Sequence, residues 1–144
     1  MLVYQILKGK SDDAVVTVSP GSLVADAAEL LSTRRIGAVI VSTDGKTADG
    51  IVSERDIVRE LGKRGAKCLE ETIDHLMTSD LITCSRDETA DQVLIKMTEG
   101  RFRHMPVVAD GNMVGLISIG DVVKARLSEL SMEKDALEGM IMGR

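Results

Sequence analysis

Two short stretches decide the fold of this chain: GIVSERD at residues 50–56 and GLISIGD at residues 115–121. Each reads as Gly, two aliphatic residues, Ser, two variable residues and Asp. An aliphatic run followed by Ser-x-x-Asp is typical of a strand that leads into a helix. The Ser hydroxyl accepts a hydrogen bond from a free backbone amide of the first helical turn, and the acidic side chain three residues later accepts one from the backbone amide of the Ser. One copy therefore predicts a capped helix start, and the second copy indicates a duplicated chain.

The duplication extends well beyond this motif. Residues 15–41 align with residues 81–107 at a constant offset, which pairs Thr17 with Thr83 and Arg35 with Arg101. The two copies of the motif align one residue closer, because the intervening loop is shorter in the second half. Repeats of this size indicate that each half is one supersecondary unit.

Each half has the same pattern of secondary-structure signals. Apolar residues spaced i, i+3, i+4, i+7 form one helical stripe per half; these residues are Val24, Ala27, Ala28 and Leu31, and then Ala90, Val93, Leu94 and Met97. A short apolar run follows in both halves, then a turn containing Asp-Gly, which is a hairpin signal. The motif supplies the next strand, and a second helix is predicted to start at its aspartate. Each half thus reads as strand, helix, strand, turn, strand, helix.

These signals predict an α/β (α+β) fold of two β-α-β-β-α units packed sheet to sheet with pseudo-two-fold symmetry. Such packing supplies each unit with core that about 60 residues alone would lack. We predict domain boundaries at residues 4–66 and 67–130, with a C-terminal helical extension at 131–144. The segment 61–80 is predicted to connect the units and to lead into the second.

Composition excludes several classes of protein. The 144 residues carry a net charge of −5 and almost no aromatic residues, which disfavours nucleic-acid binding by either phosphate contacts or base stacking. Two Cys and two His lack the spacing of a metal site and favour free thiols in a reducing compartment. No signal peptide or membrane-spanning apolar run is recognisable, so we expect a cytoplasmic protein without membrane contact.

The tandem units with their repeated G-h-x-S-x-x-D motif resemble a pair of CBS domains, the Bateman module, over roughly residues 4–130. The segments ILKGK, GIVSERDIV, RFRHMPVV and GLISIGDVV are typical of small stand-alone bacterial CBS-pair proteins. The resemblance implies a regulatory, non-catalytic module that binds AMP, ATP, NAD(H) or S-adenosylmethionine in clefts between the units. It implies no required cofactor, and it implies association into a homodimer.

The repeated aspartates are the first candidate ligand residues. The resemblance implies that Asp56 and Asp121 hold the hydroxyls of a ribose, and that Ser53 and Ser118 cap the helix, bond the ribose or contact phosphate. The alternative is a purely structural capping box, for which S-x-x-[DE] is the ordinary signature. The two interpretations are compatible, because a capped helix end is rigid.

A basic turn, RFRHMP at residues 101–106, provides the second set of candidates. Arg suits phosphate because its planar fork donates two parallel hydrogen bonds. We therefore predict phosphate binding by Arg101, Arg103 and His104, with Met105 and Pro106 against the adenine. The alternative is a solvated basic turn.

The first half departs from this pattern and should form a different site. It offers Arg35 as a candidate ligand but has no Arg-His pair or proline, and Arg55 replaces the glycine of the second motif. Arg55 is a candidate phosphate ligand, with an exposed surface ion pair of little energetic value as the alternative. Thr17 and Thr83, at matching strand starts, line the adenine and ribose pocket if the resemblance holds, and otherwise reflect β propensity.

The C-terminal stretch has an apolar spacing of 4, 3, 4, 3, 4 with one lysine interruption, at Val123, Leu127, Leu130, Lys134, Leu137 and Ile141. This heptad-like seam predicts either a dimer contact or a helix packed on its own module. The function that these features favour together is a nucleotide sensor that signals to a separate, unidentified effector protein. A structural dimerisation module with vestigial sites is the main alternative. A Ser/His/Asp hydrolase is disfavoured, because no G-x-S-x-G elbow is present.

Overall fold

The computed structural model describes residues 1–10 and 15–143. These residues form five helices, five strands and two short 3₁₀ segments. In order they are α1 (Val3–Lys8), β1 (Thr17–Val18), α2 (Val24–Arg34), β2 (Ala38–Val41), β3 (Gly50–Ser53), α3 (Glu54–Arg64), the 3₁₀ segments Gly65–Glu70 and Ile73–His75, α4 (Ala90–Gly100), β4 (His104–Ala109), β5 (Asn112–Ser118) and α5 (Ile119–Ile141). The predicted mixed α/β fold class is confirmed.

The first-repeat unit, residues 15–82 with 109–114, contains a three-stranded sheet in the order β1-β2-β3. β1 pairs with β2 in parallel and β2 with β3 antiparallel, and Ala38 lies opposite Ser53. The predicted apolar stripe of α2 is confirmed, since Val24, Ala27 and Leu31 are buried against this sheet. The sheet and α2 thus form the core on which the end of β3 is held.

The loop between β2 and β3 is longer than a tight hairpin turn, although it contains the predicted Asp-Gly pair. The carboxylate of Asp44 accepts hydrogen bonds from the backbone amides of Thr47 and Lys46, each at 2.8 Å. These bonds, led by that of Thr47, lower the pKa of Asp44 to about 2. The aspartate therefore organises the loop through its ionised side chain.

The second-repeat unit, residues 1–10, 83–108 and 115–143, contains most of the hairpin β4–β5, while residues 109–114 around its turn group with the first-repeat unit. The turn residues of this hairpin, Asp110 and Gly111, both have positive φ, as a type I′ turn requires. The expected first strand of this half is reduced to one bridge, in which Cys84 pairs in parallel with Val107. Thr83 lies just before this bridge and is exposed, so the prediction that it starts a strand was wrong.

Each compact unit includes a segment from outside its own repeat. The connector joins the first repeat, where the amide of Ile73 donates to the carbonyl of Ser22 at 2.8 Å. The N-terminal segment joins the second repeat, where the amide of Val3 donates to the carbonyl of Glu88 at 2.9 Å. Each repeat is therefore completed by the segment that precedes the other one along the chain.

This arrangement explains the glycine of the repeated motif. A Cβ on Gly50 would lie 2.6 Å from the Sδ of Met77, and a Cβ on Gly115 would lie 2.8 Å from a methyl of Leu7. Met77 and Leu7 occupy matching places in the two completing segments. The motif requires Gly because a side chain covers that strand at contact distance.

The predicted C-terminal extension is continuous with the last helix of the second repeat, because α5 runs unbroken for 23 residues. Val122 and Ala125 bury one face of its first turns. The apolar members of the heptad-like seam are exposed, with Leu127 at 63% and Leu137 at 59% of full accessibility. The seam is thus not packed against its own unit.

Candidate functional site

Both repeated aspartates complete capping boxes, and both helices start earlier than predicted. α3 begins at Glu54 and α5 at Ile119, because the motif serine is the N-cap and the aspartate is the third helical residue. The amide of Ser53 donates to Oδ2 of Asp56 at 2.8 Å, and the amide of Ser118 donates to Oδ2 of Asp121 at 2.9 Å. The capping interpretation is confirmed for both.

Asp121 has a second partner that sequence reasoning missed. Nζ of Lys10 donates to its Oδ2 at 3.0 Å and to the carbonyl of Leu116 at 2.9 Å. Partial burial raises the pKa of Asp121, but the hydrogen bonds from Ser118 and the ammonium of Lys10 outweigh it, so the net pKa is lowered. The carboxylate is therefore held ionised and in a fixed orientation.

The structure shows which residue of the first repeat corresponds to Lys10. Leu2 forms an antiparallel bridge with Thr89, and Thr72 forms one with Leu23, so residues 2–10 and 72–80 occupy matching positions in the two units. This correspondence brings the segment ILKGK alongside β5 and makes Asp80 the counterpart of Lys10. Because Lys10 and Asp80 carry opposite charges, comparison of these two segments does not by itself reveal the Lys10–Asp121 pair.

The basic turn lies directly beside the start of α5. The amide of Ile119 donates to the carbonyl of Arg103 at 2.8 Å, and the first repeat has the same bond from Glu54 to Gly37 at 2.9 Å. The structure thus brings Arg103, Ser118 and Asp121 together in the second-repeat unit. In the first-repeat unit it groups Ser53, Arg55 and Asp56.

Two of the predicted arginines occupy unusual backbone conformations. Arg35 ends α2 with φ 53°, and Arg101 ends α4 with φ 57°, both in the left-handed region. Helices commonly end with Gly at such a position. Both arginine side chains are exposed. The position is shared by the two repeats, so it belongs to the duplicated architecture.

The remaining candidates differ in exposure. Met105 is fully buried and Pro106 is buried, so the prediction that they face an adenine does not fit this structure, in which they contribute to packing. His104 is partly buried at the start of β4, and Arg55 is exposed. Thr17 is partly buried at the start of β1, as expected. Thr83 is exposed, and its carbonyl accepts a hydrogen bond from Lys96 at 3.2 Å.

A pocket of about 430 Å³ adjoins Asp121 in the second-repeat unit. α1 and the residues after it form one wall, and the first turns of α5 form the other. The polar lining residues are Gln5, Lys10, Asp121, Lys124 and Ser128. Its volume lies within the range of about 300–1,000 Å³ that is usual for small-molecule sites.

Other kinds of site find no support in the described part of the chain. Within residues 1–10 and 15–143, no three His, Cys, Asp or Glu side chains are grouped as a metal site. No helix among these residues is long and apolar enough to cross a membrane. Cys68 and Cys84 are both buried free thiols, and burial raises the pKa of Cys84 to about 12.

Comparison with known proteins places the fold and the motifs in one family. The family model described as the CBS domain matches twice, at residues 10–63 and 73–128. A CBS-domain-containing protein from Agrobacterium tumefaciens, known from its crystal structure, is 40% identical in sequence and superposes with a TM-score of 0.82. The match covers 88% of this chain and 99% of the Agrobacterium chain. The CBS domain pair of protein MJ0100 was solved in complex with 5′-methylthioadenosine and S-adenosyl-L-methionine, and it is 26% identical in sequence with a TM-score of 0.78. This match covers 90% of the present chain and 98% of the MJ0100 chain.

Curated relatives agree with this assignment. A mitochondrial CBS domain-containing protein of Arabidopsis thaliana is 33% identical over 141 residues, which are 94% of this chain and 68% of the relative. Two further Arabidopsis relatives are longer, and the chain matches only 23% and 22% of their lengths. The chain belongs to the CBS-domain family and carries two CBS domains in tandem.

Proposed function

We propose that this CBS pair is a regulatory module that binds an adenine nucleotide of the AMP, ATP or NAD(H) type at the start of α5, and a second one at the start of α3. Binding changes the balance between conformations or oligomeric states, and a separate effector protein reads that change. A ligand shifts such a balance only by its difference in affinity for the two states. The proposal also holds that the chain is not an enzyme.

The observation that carries the proposal is the state of the Asp121 carboxylate. Its Oδ2 is occupied by Ser118 and Lys10, whereas Oδ1 has no hydrogen-bond donor among residues 1–10 and 15–143. The carboxylate lines the pocket of about 430 Å³ beside α1. A fixed, ionised acceptor at the wall of a pocket suits a ribose hydroxyl, because hydrogen bonds to a charged group contribute about 1.5–3 kcal/mol.

The neighbouring basic turn supports phosphate recognition at the same helix start. Arg103 is tied to the amide of Ile119, and Arg101 and His104 flank it in sequence. The related pair from MJ0100 was solved with two adenosine derivatives, which supports the ligand class. We extend both arguments to this chain as proposals.

The site at Asp56 is proposed on the same geometry with different charges. Oδ2 of Asp56 accepts hydrogen bonds from the amide and the hydroxyl of Ser53. Among the residues that the structure describes, Oδ1 receives only a long 3.4 Å contact from Arg59. Arg55 is exposed beside it. The two sites should therefore bind the same ligand with different affinity.

The proposed partner in oligomerisation is a second copy of the chain, seated on the heptad-like seam of α5. The seam exposes four aliphatic side chains between Leu127 and Ile141 together with Lys134. Leu130→Glu, together with Leu137→Glu, should convert a dimer to a monomer in analytical ultracentrifugation, whereas Glu133→Gln should not. A wild-type chain that sediments as a monomer at 100 µM would refute this part.

The test of ligand binding is calorimetric titration with AMP, ATP, NAD, NADH and S-adenosylmethionine, with melting temperature followed in parallel. A ligand that binds the native state raises the melting temperature by linkage. Asp121→Asn and Asp56→Asn keep one cap acceptor but place an NH₂ group where the ribose acceptor was. Each should remove one binding event, while Asp135→Asn on the exposed part of α5 serves as the matched control.

The outcomes separate the proposal from its alternatives. Failure of every nucleotide to bind below 1 mM would support a structural module with vestigial sites. Conversion of a bound nucleotide to product would support a catalyst. The two unpaired thiols support a reducing compartment such as the cytoplasm, and labelling of the protein in fractionated cells tests that proposal.

A further inference from the structure

The pocket beside α1 contains more positive charge than a ribose requires. Among the described residues that line it, two are lysines, Lys10 and Lys124, and one is an acid, Asp121. Lys10 comes from the segment after α1, and Lys124 lies one turn beyond Asp121 on α5. The neighbouring acid Glu129 is already paired with Arg126 at 3.5 Å and with the Met1 amine at 2.7 Å. Among the described residues of the pocket, lysine charge therefore exceeds carboxylate charge.

Two hydrogen bonds orient the ammonium of Lys10. Two of its three N–H groups donate to Leu116 and Asp121, and the third has no acceptor among the residues that the structure describes. The Lys10 side chain is only 26% exposed, so its position is restricted. An oriented, partly shielded ammonium with a spare donor is suited to bind an anion.

The other repeat lacks this arrangement. The residue that matches Lys10 is Asp80, which has the opposite charge and is exposed. Lys124 is matched by Arg59, which contacts Asp56 itself. A structural role shared by the repeats would not require opposite charges at one position. The lysine pair is therefore a property of one site.

We propose that Lys10 and Lys124 form an anion subsite for a phosphate of the nucleotide held at Asp121, and that this subsite makes the second-repeat site selective for phosphorylated over uncharged adenosine compounds. The proposal rests on the proposed nucleotide site. Lys10 then has two contacts, with Oδ2 of Asp121 on one side and a phosphate oxygen on the other. Lys124 and the hydroxyl of Ser128 complete the subsite along α5.

The experiment compares ADP with adenosine by titration calorimetry in the full chain. Lys10→Met and Lys124→Met keep the aliphatic stem and remove the charge, and Lys134→Met is the matched control on the exposed end of α5. Loss of a charge-assisted hydrogen bond should weaken ADP binding about tenfold in each variant. Adenosine binding should change less than twofold, and the salt dependence of ADP binding should become weaker.

Two results would overturn the subsite and leave the nucleotide site intact. Equal loss of ADP and adenosine affinity in Lys10→Met would mean that Lys10 only positions Asp121. Loss of ADP selectivity in Arg103→Ala, with none in either lysine variant, would place the phosphate at the basic turn alone. If Asp121→Asn leaves binding of both compounds unchanged, the proposed nucleotide site itself fails.

Discussion

Replacing Arg101 by Gly should stabilise the fold and weaken the ligand site in the same variant. Arg101 ends α4 with φ 57°, and its amide donates to the carbonyl of Met97. A left-handed conformation costs a non-glycine residue about 1–2 kcal/mol. Gly avoids that cost but loses about 0.5–1 kcal/mol through its greater freedom in the unfolded chain. The net expected gain is roughly 0.5–1 kcal/mol.

For a chain of this length, that gain corresponds to a rise of about 2–3 °C in melting temperature. Urea unfolding and thermal unfolding should both report it. If Arg101 binds phosphate as proposed, ADP affinity should fall about tenfold in the same protein, since a hydrogen bond to a charged group is lost. Stability and affinity would then move in opposite directions.

The matched control is Arg103→Gly, two residues on. Arg103 is not among the described residues with positive φ, so Gly there brings only the entropic cost and should destabilise by about 0.5–1 kcal/mol. Arg35→Gly, at the matching left-handed position of the first repeat, should reproduce the stability gain. If Arg101→Gly and Arg103→Gly change stability in the same direction, the argument from backbone strain is wrong.

Three further outcomes are expected. Gly115→Ala should cost about 1–3 kcal/mol of unfolding free energy by overpacking, whereas Gly62→Ala, in open space on α3, should gain about 0.5–1 kcal/mol in urea titrations. Asp44 has a pKa lowered from 3.8 to about 2, so the stability that it contributes is present above pH 3.8 and is lost as the pH falls through about 2. Asp44→Asn should therefore flatten the acid unfolding curve between these two pH values, and an unchanged curve would contradict the assignment. In a Cys68→Ser variant, Cys84 should react with a disulfide reagent at pH 8 only as fast as the protein unfolds. The reason is that burial raises the pKa of the Cys84 thiol to about 12. Rapid labelling of the native protein would show that the Cys84 thiol is accessible.

Local patterns of the sequence were sufficient to predict helices α2 to α5, the turn between β4 and β5 and both helix caps, but not α1. Ser-x-x-Asp determines its own geometry, since both partners lie within one helical turn, as at Ser118 and Asp121. The stripe on α2 likewise depends only on helical spacing. Such features are local and do not require knowledge of the tertiary fold.

The contacts that could not be predicted are those between segments distant in the chain. Lys10 and Asp121 are separated by 111 positions, and no local pattern relates them. Burial of Met105 depends on what covers β4, which the sequence around it does not specify. The short bridge at Cys84 replaces a strand because the segment around it pairs at only one position. Tertiary context decided each of these features.

The way in which each repeat is completed by the other's leading segment bears on how the chain can be divided. A fragment cut at the repeat boundary, such as residues 67–130, would lose the leucine that covers Gly115 and would retain a segment that belongs elsewhere. β5 would then lose the side chains of Leu7 and Lys10 that contact it, and the detached Leu2–Lys10 piece would be expected to restore these contacts as an added peptide. If this peptide restores the fold of the fragment, the N-terminal segment is a separable part of the second-repeat unit. A conventional truncation series would remove that segment first.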